Sequence, residues 1–89
     1  MTLSYEQISE TLKALAHPAR LKIVVGLLKD ECNVAQIQKV LGLPQSTISQ
    51  HLRILRNAGI IKGRKEGTKT CYRVIDGQVR KIVEITKGK

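Results

Sequence analysis

Residues 43–59, LPQSTISQHLRILRNAG, contain the pattern that decides the fold. Ile48, Leu52 and Leu55 recur at intervals of four and three residues, which is the spacing of one buried face of an α-helix. The opposite face begins with amides and hydroxyls, continues with arginines and has no carboxylate. A helix face that meets only solvent usually mixes both signs of charge and favours carboxylates in its first turn. The composition of this face therefore needs an explanation other than solvation.

Three further helices are predicted on the N-terminal side of this stretch. Ser4 is a suitable N-cap for the first, which ends before Pro18 because the residue preceding a proline avoids helical geometry. Pro18 suits the first turn of the second helix, which runs to about Lys29. Asn33 is placed to cap the third helix and Gly42 to end it, so the third helix and the quoted stretch form a helix-turn-helix. The apolar residues that the second and third helices are expected to bury are Leu21, Val24, Leu27, Leu28, Val34, Ile37, Val40 and Leu41.

The segment that follows indicates a hairpin and a last helix. Residues 60–74, IIKGRKEGTKTCYRV, contain two short β-type runs around Glu66-Gly67, which predicts a β-hairpin with a basic tip. Asp76 is placed to cap the last helix. The predicted fold is mainly α with a small β-hairpin wing: a winged helix-turn-helix with about five helices and a two- to three-stranded sheet. The 89 residues are expected to form one domain, 1–89.

Basic residues are concentrated in the second half of the chain. The net charge is +9 and the pI is about 10.0. Residues 1–44 carry five Lys and Arg against four Asp and Glu, whereas residues 45–81 carry nine against two. A pI above about 9 with clustered positive charge indicates a polyanionic partner.

The sequence indicates neither secretion nor membrane insertion. The N-terminus has no basic segment followed by an apolar one. The longest apolar run, IVVGLL at 23–28, is far shorter than the roughly 20 residues that span a bilayer. We therefore expect a cytoplasmic protein with no membrane partner, in which Cys32 and Cys71 are free thiols.

Contact with duplex DNA explains the polar helix face. The major groove admits one α-helix, and the N-terminal residues of a recognition helix reach the base edges. Gln pairs with adenine through two hydrogen bonds, and Ser or Thr pairs with any base, whereas a carboxylate would repel phosphate. Gln45, Ser46, Ser49 and Gln50 open this face. The predicted contacts to the DNA backbone, from the same helix and from the wing, are Arg53, Arg56, Arg64, Lys65 and Lys69.

Three segments carry a family resemblance. LKALAHPARLKIVVGLL, LGLPQSTISQHLRILRNAGII and RKEGTKTCYRV together resemble ArsR-type (arsenic-repressor-like) winged-helix transcriptional regulators, over about residues 8–85. The resemblance implies a homodimeric repressor that binds double-stranded DNA at an inverted-repeat operator. The base-reading residues that it implies are Gln45, Ser46, Thr47, Ser49 and Gln50. It also implies that the first and last helices form the dimer interface, for which the apolar residues are Ile8, Leu12, Leu15, Val79, Ile82 and Val83.

The chain departs from the metal-sensing members of that family. Where their third helix begins with Cys-Val-Cys, the two cysteine positions hold Asn33 and Ala35, and Cys32 lies one residue early. The histidine positions of their last helix hold Gln78 and Lys89. Because a soft-metal site needs several converging thiolates or imidazoles, we expect no metal and no cofactor. The chain is similar to the non-metal branch, which includes virulence-gene and redox-responsive regulators.

Other functions explain less of the sequence. A winged-helix module that binds an acidic protein and not DNA is the main alternative, but it gives the Gln and Ser positions no purpose. An RNA-binding module is weaker, because the chain lacks aromatic residues that would stack on unpaired bases. An enzyme is not expected, since no carboxylate pair, nucleophile with a base, or phosphate-binding Gly loop is present. His17, Arg20 and His51 are expected to be structural.

The two cysteines raise a redox alternative that strand geometry disfavours. A strand preceding the third helix could pair with the return strand of the wing and bring Cys32 near Cys71. Tyr72 and Val74 are the best inward residues of that strand, so Cys71 is expected to point to the other face. Cys32 is expected to pack inward on Ile37, and opposite faces do not allow the Cβ separation of about 3.5–4.5 Å that a disulfide needs. Cys71 is therefore expected to be a small apolar filler.

Overall fold

A computed structural model of the chain describes residues 4–87, which form five helices and one two-stranded antiparallel sheet. The order is α1 (Tyr5–Leu15), α2 (Pro18–Lys29), α3 (Val34–Leu41), α4 (Gln45–Asn57), β1 (Ile61–Glu66), β2 (Lys69–Val74) and α5 (Gly77–Lys87). The winged helix-turn-helix prediction is confirmed. The sequence also allowed a third strand just before α3. In the described residues this segment makes one backbone hydrogen bond to the sheet, from the Tyr72 amide to the Glu31 carbonyl (2.8 Å).

Side chains cap two of the helices as predicted. Ser4 Oγ accepts a hydrogen bond from the Gln7 amide (3.3 Å), and the Asp76 carboxylate accepts one from the Gln78 amide (2.9 Å) at the start of α5. These bonds satisfy N–H groups that a helix leaves unpaired at its start. Asn33 occupies the N-cap position of α3 as predicted, but its side chain makes no capping hydrogen bond.

The turn between α3 and α4 fixes where α4 begins. Gly42 has a φ of 67°, the left-handed conformation that glycine adopts without strain, and its amide donates to the Gln38 carbonyl (2.9 Å). Pro44, with a φ of −61°, directly precedes the first residue of α4. The chain therefore turns within three residues and starts a second helix across the first.

The core is aliphatic, and α4 supplies its centre. Ile48, Leu52 and Leu55 are buried on one face of α4, which packs against α1, α2 and β1. The other members of this core are Ala14, Leu15, Ile23, Val24, Leu27, Ile37, Ile60, Ile61, Val79 and Val83. The apolar spacing that predicted the buried face of α4 is confirmed.

The predicted inward residues of α2 and α3 need two corrections. Leu21 is 36% exposed and Val40 is 74% exposed, whereas Ile23 is only 1% exposed. Apolar residues surround nearly the whole of α2, so their spacing does not decide which side faces inward. Packing against α3 decides it: a Cβ on Gly26 would lie 2.7 Å from Ile37 Cδ1, so α3 approaches α2 where α2 has no side chain.

A polar network lies beneath α4 and joins it to α1 and α2. Arg20 Nε donates to the Ala14 carbonyl (2.6 Å), and Arg20 Nη1 lies 3.3 Å from His51 Nδ1. His17 caps α2 by accepting the Ala19 amide at Nδ1 (3.1 Å), and its ring centroid lies 4.7 Å from that of His51. The structural roles predicted for these three side chains are confirmed.

The surroundings of His51 favour its neutral form over its protonated form. Burial is the main effect that lowers the pKa of His51, and its electrostatic interactions with His17 and Arg20 lower it further. Because Arg20 has only donors, Nδ1 of His51 acts as the acceptor between them. The unfolded chain therefore binds a proton at this residue more readily than the folded chain does.

The corrected orientation of α2 makes a matched pair of variants informative. Ile23→Ala should lower the free energy of unfolding by about 2–5 kcal/mol, because it leaves a cavity in the core. Leu21→Ala in the same helix should cost less than about 1 kcal/mol, because Leu21 already meets solvent. Urea unfolding monitored by circular dichroism measures both, and equal losses would contradict the orientation described here.

The neutral state of His51 predicts a pH dependence of stability. The contribution of neutral His51 should be complete above the ordinary histidine pKa of about 6.5 and should be lost as the pH falls below it. His51→Gln keeps an acceptor for Arg20 but does not titrate, so its free energy of unfolding should fall less between pH 7.5 and pH 5.5. Parallel urea titrations of the two proteins measure this, and identical pH dependence would show that His51 is not the responsible group.

Candidate DNA interface

The predicted base-reading residues lie on one exposed side of α4. Gln45, Ser46, Ser49 and Gln50 are exposed, and Thr47 is half-buried at the flank of this side. Within residues 4–87 none of the five side chains makes a hydrogen bond, so their polar atoms are available to a partner. The structure thus brings the whole predicted set together at the N-terminal half of one helix.

Positive charge continues along the same side of α4. Arg53 and Arg56 are exposed, and no carboxylate occurs anywhere in the helix. Pro44 provides no side-chain cap at the N-terminus, where the macrodipole of a helix is positive. The face therefore presents neutral hydrogen-bonding groups first and cations after them, with nothing to repel an anion.

The tip of the wing carries two exposed lysines. Gly67 has a φ of 64° in the two-residue loop between β1 and β2, and Lys65 and Lys69 lie on the strands beside it. Positive φ at the first loop residue is the pattern of a type II′ hairpin turn, which glycine favours. The ion pairs among residues 4–87 do not include either lysine, so both ammonium groups are available to phosphate.

Arg64 occupies a different environment from the one that the sequence suggested. Its Nη1 lies 2.6 Å from Glu31 Oε1, and its Nε lies 2.9 Å from Glu66 Oε2. The hydrogen bonds to Glu66 and Glu31, in that order, raise the already high pKa of Arg64. Its guanidinium therefore joins the wing to the turn before α3, whereas the sequence analysis predicted that it contacts the DNA backbone.

Two further cations face each other near the base of the wing. Lys62 and Arg73 are directly opposed in the β-sheet register, and both are exposed. Like charges in this position destabilise a strand pair unless an anion lies between them. The sequence analysis did not single out this pair, although placing the hairpin turn after Glu66 is enough to find its register.

Part of the predicted dimer surface is available in the protomer and part is not. Ile8, Leu12 and Ile82 line an open cleft of about 900 Å³ between α1, the end of α4 and the start of α5. Three other residues assigned to that surface, Leu15, Val79 and Val83, are at most 4% exposed. Their assignment is wrong, because they fill the core of the protomer and are not on its surface. The apolar spacing of α1 and α5 could not separate the two sides of each helix.

The prediction of free cysteines is also wrong. Cys32 and Cys71 form a disulfide, with their Cα atoms 4.2 Å apart. Cys71 does lie on the face opposite Tyr72, as strand alternation requires, and it is fully buried there. The error concerned Cys32: the turn before α3 lies over that second face of the hairpin, so Cys32 meets Cys71 from outside the main core.

Among the described residues, no three His, Cys, Asp or Glu side chains form a cluster that could hold a metal ion. No helix of the described part of the chain is both long and apolar enough to cross a membrane.

Comparison with known proteins identifies relatives over nearly the whole chain. The regulator MJ1325 of Methanocaldococcus jannaschii, named as an HTH-type transcriptional regulator, is 43% identical over 82 residues, 91% of this chain and 92% of that protein. The transcriptional repressor PagR of Bacillus anthracis is 42% identical over 84 residues, 93% of this chain and 84% of that protein.

Solved structures agree with this relationship. The crystal structure of PagR matches with a TM-score of 0.79 at 41% identity, covering 91% of this chain and 93% of that one. The solution structure of the homodimeric winged helix-turn-helix DNA-binding domain of Mb0332 from Mycobacterium bovis matches with a TM-score of 0.81 at 30% identity, covering 93% of this chain and 77% of that one. The sequence model of one protein family, described as bacterial regulatory protein, arsR family, matches residues 17–62, which include α2, α3 and α4. With these matches and this fold, the chain belongs to the arsR family of bacterial regulatory proteins.

Proposed function

We propose that the chain is a homodimeric transcriptional repressor that binds double-stranded DNA at an inverted-repeat operator in the cytoplasm. The observation that carries this proposal is the outer side of α4, where hydrogen-bonding side chains without internal partners are followed by arginines and accompanied by no acid. The helix is about 20 Å long, and its width fits the major groove. The surface therefore matches both the bases and the phosphates of duplex DNA.

The position of each side chain on α4 suggests its role. Ser46 and Gln50 lie one turn apart at the centre of the exposed side, opposite the buried Ile48 and Leu52, so they would enter the groove deepest. Gln45, Thr47 and Ser49 would contact bases or sugars beside them. Arg53 and Arg56, farther from the N-terminus, would bind phosphate oxygens and hold the helix in register without reading sequence.

The wing supplies a second basic surface in this proposal. Lys65 and Lys69 at the tip and the opposed pair Lys62 and Arg73 would contact the phosphate backbone or the adjacent minor groove. Arg64 would act indirectly, because its ion pairs with Glu31 and Glu66 fix the wing and leave the phosphates to the lysines.

A symmetric dimer would present two copies of α4 to one side of the duplex. The cleft lined by Ile8, Leu12 and Ile82 is the surface that would pair, and Tyr5 (87% exposed) extends it along α1. The Mb0332 domain is homodimeric and PagR is a repressor, which supports both parts of the proposal. Occupancy of a promoter by such a dimer would exclude RNA polymerase. We assign no enzymatic activity, metal or cofactor to the dimer.

Base reading by α4 predicts sequence-dependent losses of affinity. After selection of a preferred site from a random duplex pool, Ser46→Ala or Gln50→Ala should weaken binding to that site by about 1–3 kcal/mol and affect random DNA much less. Arg53→Ala is the matched control on the same helix: it should weaken both equally and reduce the salt slope by about 0.9. Fluorescence anisotropy measures all of these affinities. Equal losses on both DNAs for Gln50→Ala, or preference for single-stranded RNA or an acidic protein, would contradict the proposal.

Dimer symmetry predicts both the operator and the effect of a surface charge. The selected site should be an inverted repeat with half-site centres about 34–36 Å apart, or a multiple of that distance. Leu12→Glu should convert the dimer to a monomer, because it places a carboxylate in the cleft. Val40→Glu changes an apolar residue that is more exposed and lies outside the cleft, so it should leave the dimer intact. Sedimentation velocity at micromolar concentration distinguishes these results, and a monomeric parent protein would overturn the dimer.

A further inference from the structure

Three contacts fasten the wing to the turn that precedes α3. The disulfide joins Cys32 in the turn to Cys71 in β2. The Tyr72 amide donates to the Glu31 carbonyl (2.8 Å), and the Arg64 guanidinium pairs with the Glu31 carboxylate (2.6 Å). We call these five residues the wing strap.

The wing strap connects the wing to the helix-turn-helix, the two units that carry the DNA-facing surfaces in the proposed function. On one side, the turn with Cys32 leads directly into α3, the first helix of the helix-turn-helix. On the other side, Cys71 and Arg64 are register partners on the same face of the hairpin. The disulfide and the ion pair therefore hold the same cross-section of the wing, and together they fix its distance from α3 and hence from α4.

We propose that the disulfide makes DNA affinity depend on thiol oxidation state, with the oxidised wing strap holding the wing in the position that binds DNA. This inference rests on the proposed function. A wing fixed before binding loses less conformational freedom when it meets the duplex, so the oxidised protein binds more tightly. Glu31 is a positioning residue in this scheme, because it touches the wing at two points and acts through Arg64.

Burial decides which sulfur an external thiol attacks. Cys71 is fully buried, whereas Cys32 is half-buried, so the thiolate of an external dithiol attacks Sγ of Cys32. The S–S bond breaks, Cys71 leaves as a thiolate and takes a proton, and a mixed disulfide forms on Cys32. The second thiol of the dithiol then releases Cys32 as a thiol. Two electrons and two protons have moved to the protein, and the dithiol has become a disulfide; exchange with an oxidised partner reverses the process.

The protein is built to remain folded when this bond opens. The continuous core of the described residues runs through all five helices and β1, and neither cysteine belongs to it. After reduction, the Arg64–Glu31 ion pair and the hydrogen bond from the Tyr72 amide to the Glu31 carbonyl still connect the wing to the turn before α3. Disulfides are rare in a reducing compartment; in mesophiles those that occur there are usually transient or redox-sensing, whereas hyperthermophiles also use them as permanent links. The arrangement therefore fits a bond that opens and closes in a folded protein.

Comparison of the two oxidation states of the intact protein tests the proposal. Fully oxidised and dithiothreitol-reduced protein, distinguished by a mass difference of two hydrogens, are titrated with the selected duplex by anisotropy. Reduction should weaken binding by about three- to tenfold and speed hydrogen exchange of the β1 and β2 amides, while the α4 amides keep their protection. The double variant Cys32→Ala, Cys71→Ala should bind like the reduced protein and should not respond to dithiothreitol.

Glu31→Gln provides a second arm that separates the two components of the wing strap. It removes the charge that holds Arg64 but keeps the backbone carbonyl that accepts the Tyr72 amide. It should weaken binding by reduced protein more than binding by oxidised protein, because only the reduced wing depends on the ion pair.

Equal affinity of oxidised and reduced protein, or tighter binding after reduction, would overturn the proposal and leave the disulfide a purely structural link. Failure of both forms to bind any duplex would overturn the proposed function, and this inference with it.

Discussion

The fold depends on the burial of one side of α4. Ile48, Leu52 and Leu55 hold this helix against α1, α2 and β1, and no aromatic side chain of the core assists them. Because α4 has most of its apolar groups on one side, its other side can be largely polar without loss of stability. The surface that we assign to DNA therefore exists because the helix is anchored from behind. The Arg20–His51 contact adds a polar anchor at the middle of the same helix.

Sequence reasoning succeeded where a local rule is sufficient. The spacing of Ile48, Leu52 and Leu55, the caps at Ser4 and Asp76, and the existence of the hairpin each depend on residues within about one helical turn or one hairpin. The loop of the hairpin is Gly67 and Thr68, one residue later than the predicted Glu66-Gly67. Nearly the whole order of elements follows from such signals. The exposed polar side of α4 was also predictable, since it is the complement of a clear apolar face.

Predictions from the sequence were wrong where a residue's environment depends on how elements distant in the chain pack against each other. The inward side of α2 is set by α3 approaching at Gly26, and nothing within α2 reveals that approach. Cys71 was correctly placed on the second face of β2, but that face is covered by a turn about 40 residues earlier in the chain. Arg64 likewise could not be assigned to Glu31 from sequence, because exposed arginines near a hairpin tip look alike. The roles that we propose for the DNA-facing residues rest on their placement on the surface.

The opposed cations of the wing have a consequence for how salt acts on this protein. Lys62 and Arg73 repel each other in the free hairpin, and added ions screen that repulsion. The same ions compete with the protein for phosphate and weaken a complex with DNA. Salt therefore has opposite effects on the free and the DNA-bound protein: it stabilises the wing of the free protein and lowers the affinity of the complex. A nucleic acid backbone lying between the two cations would supply its own screening, so the hairpin would be most stable when occupied.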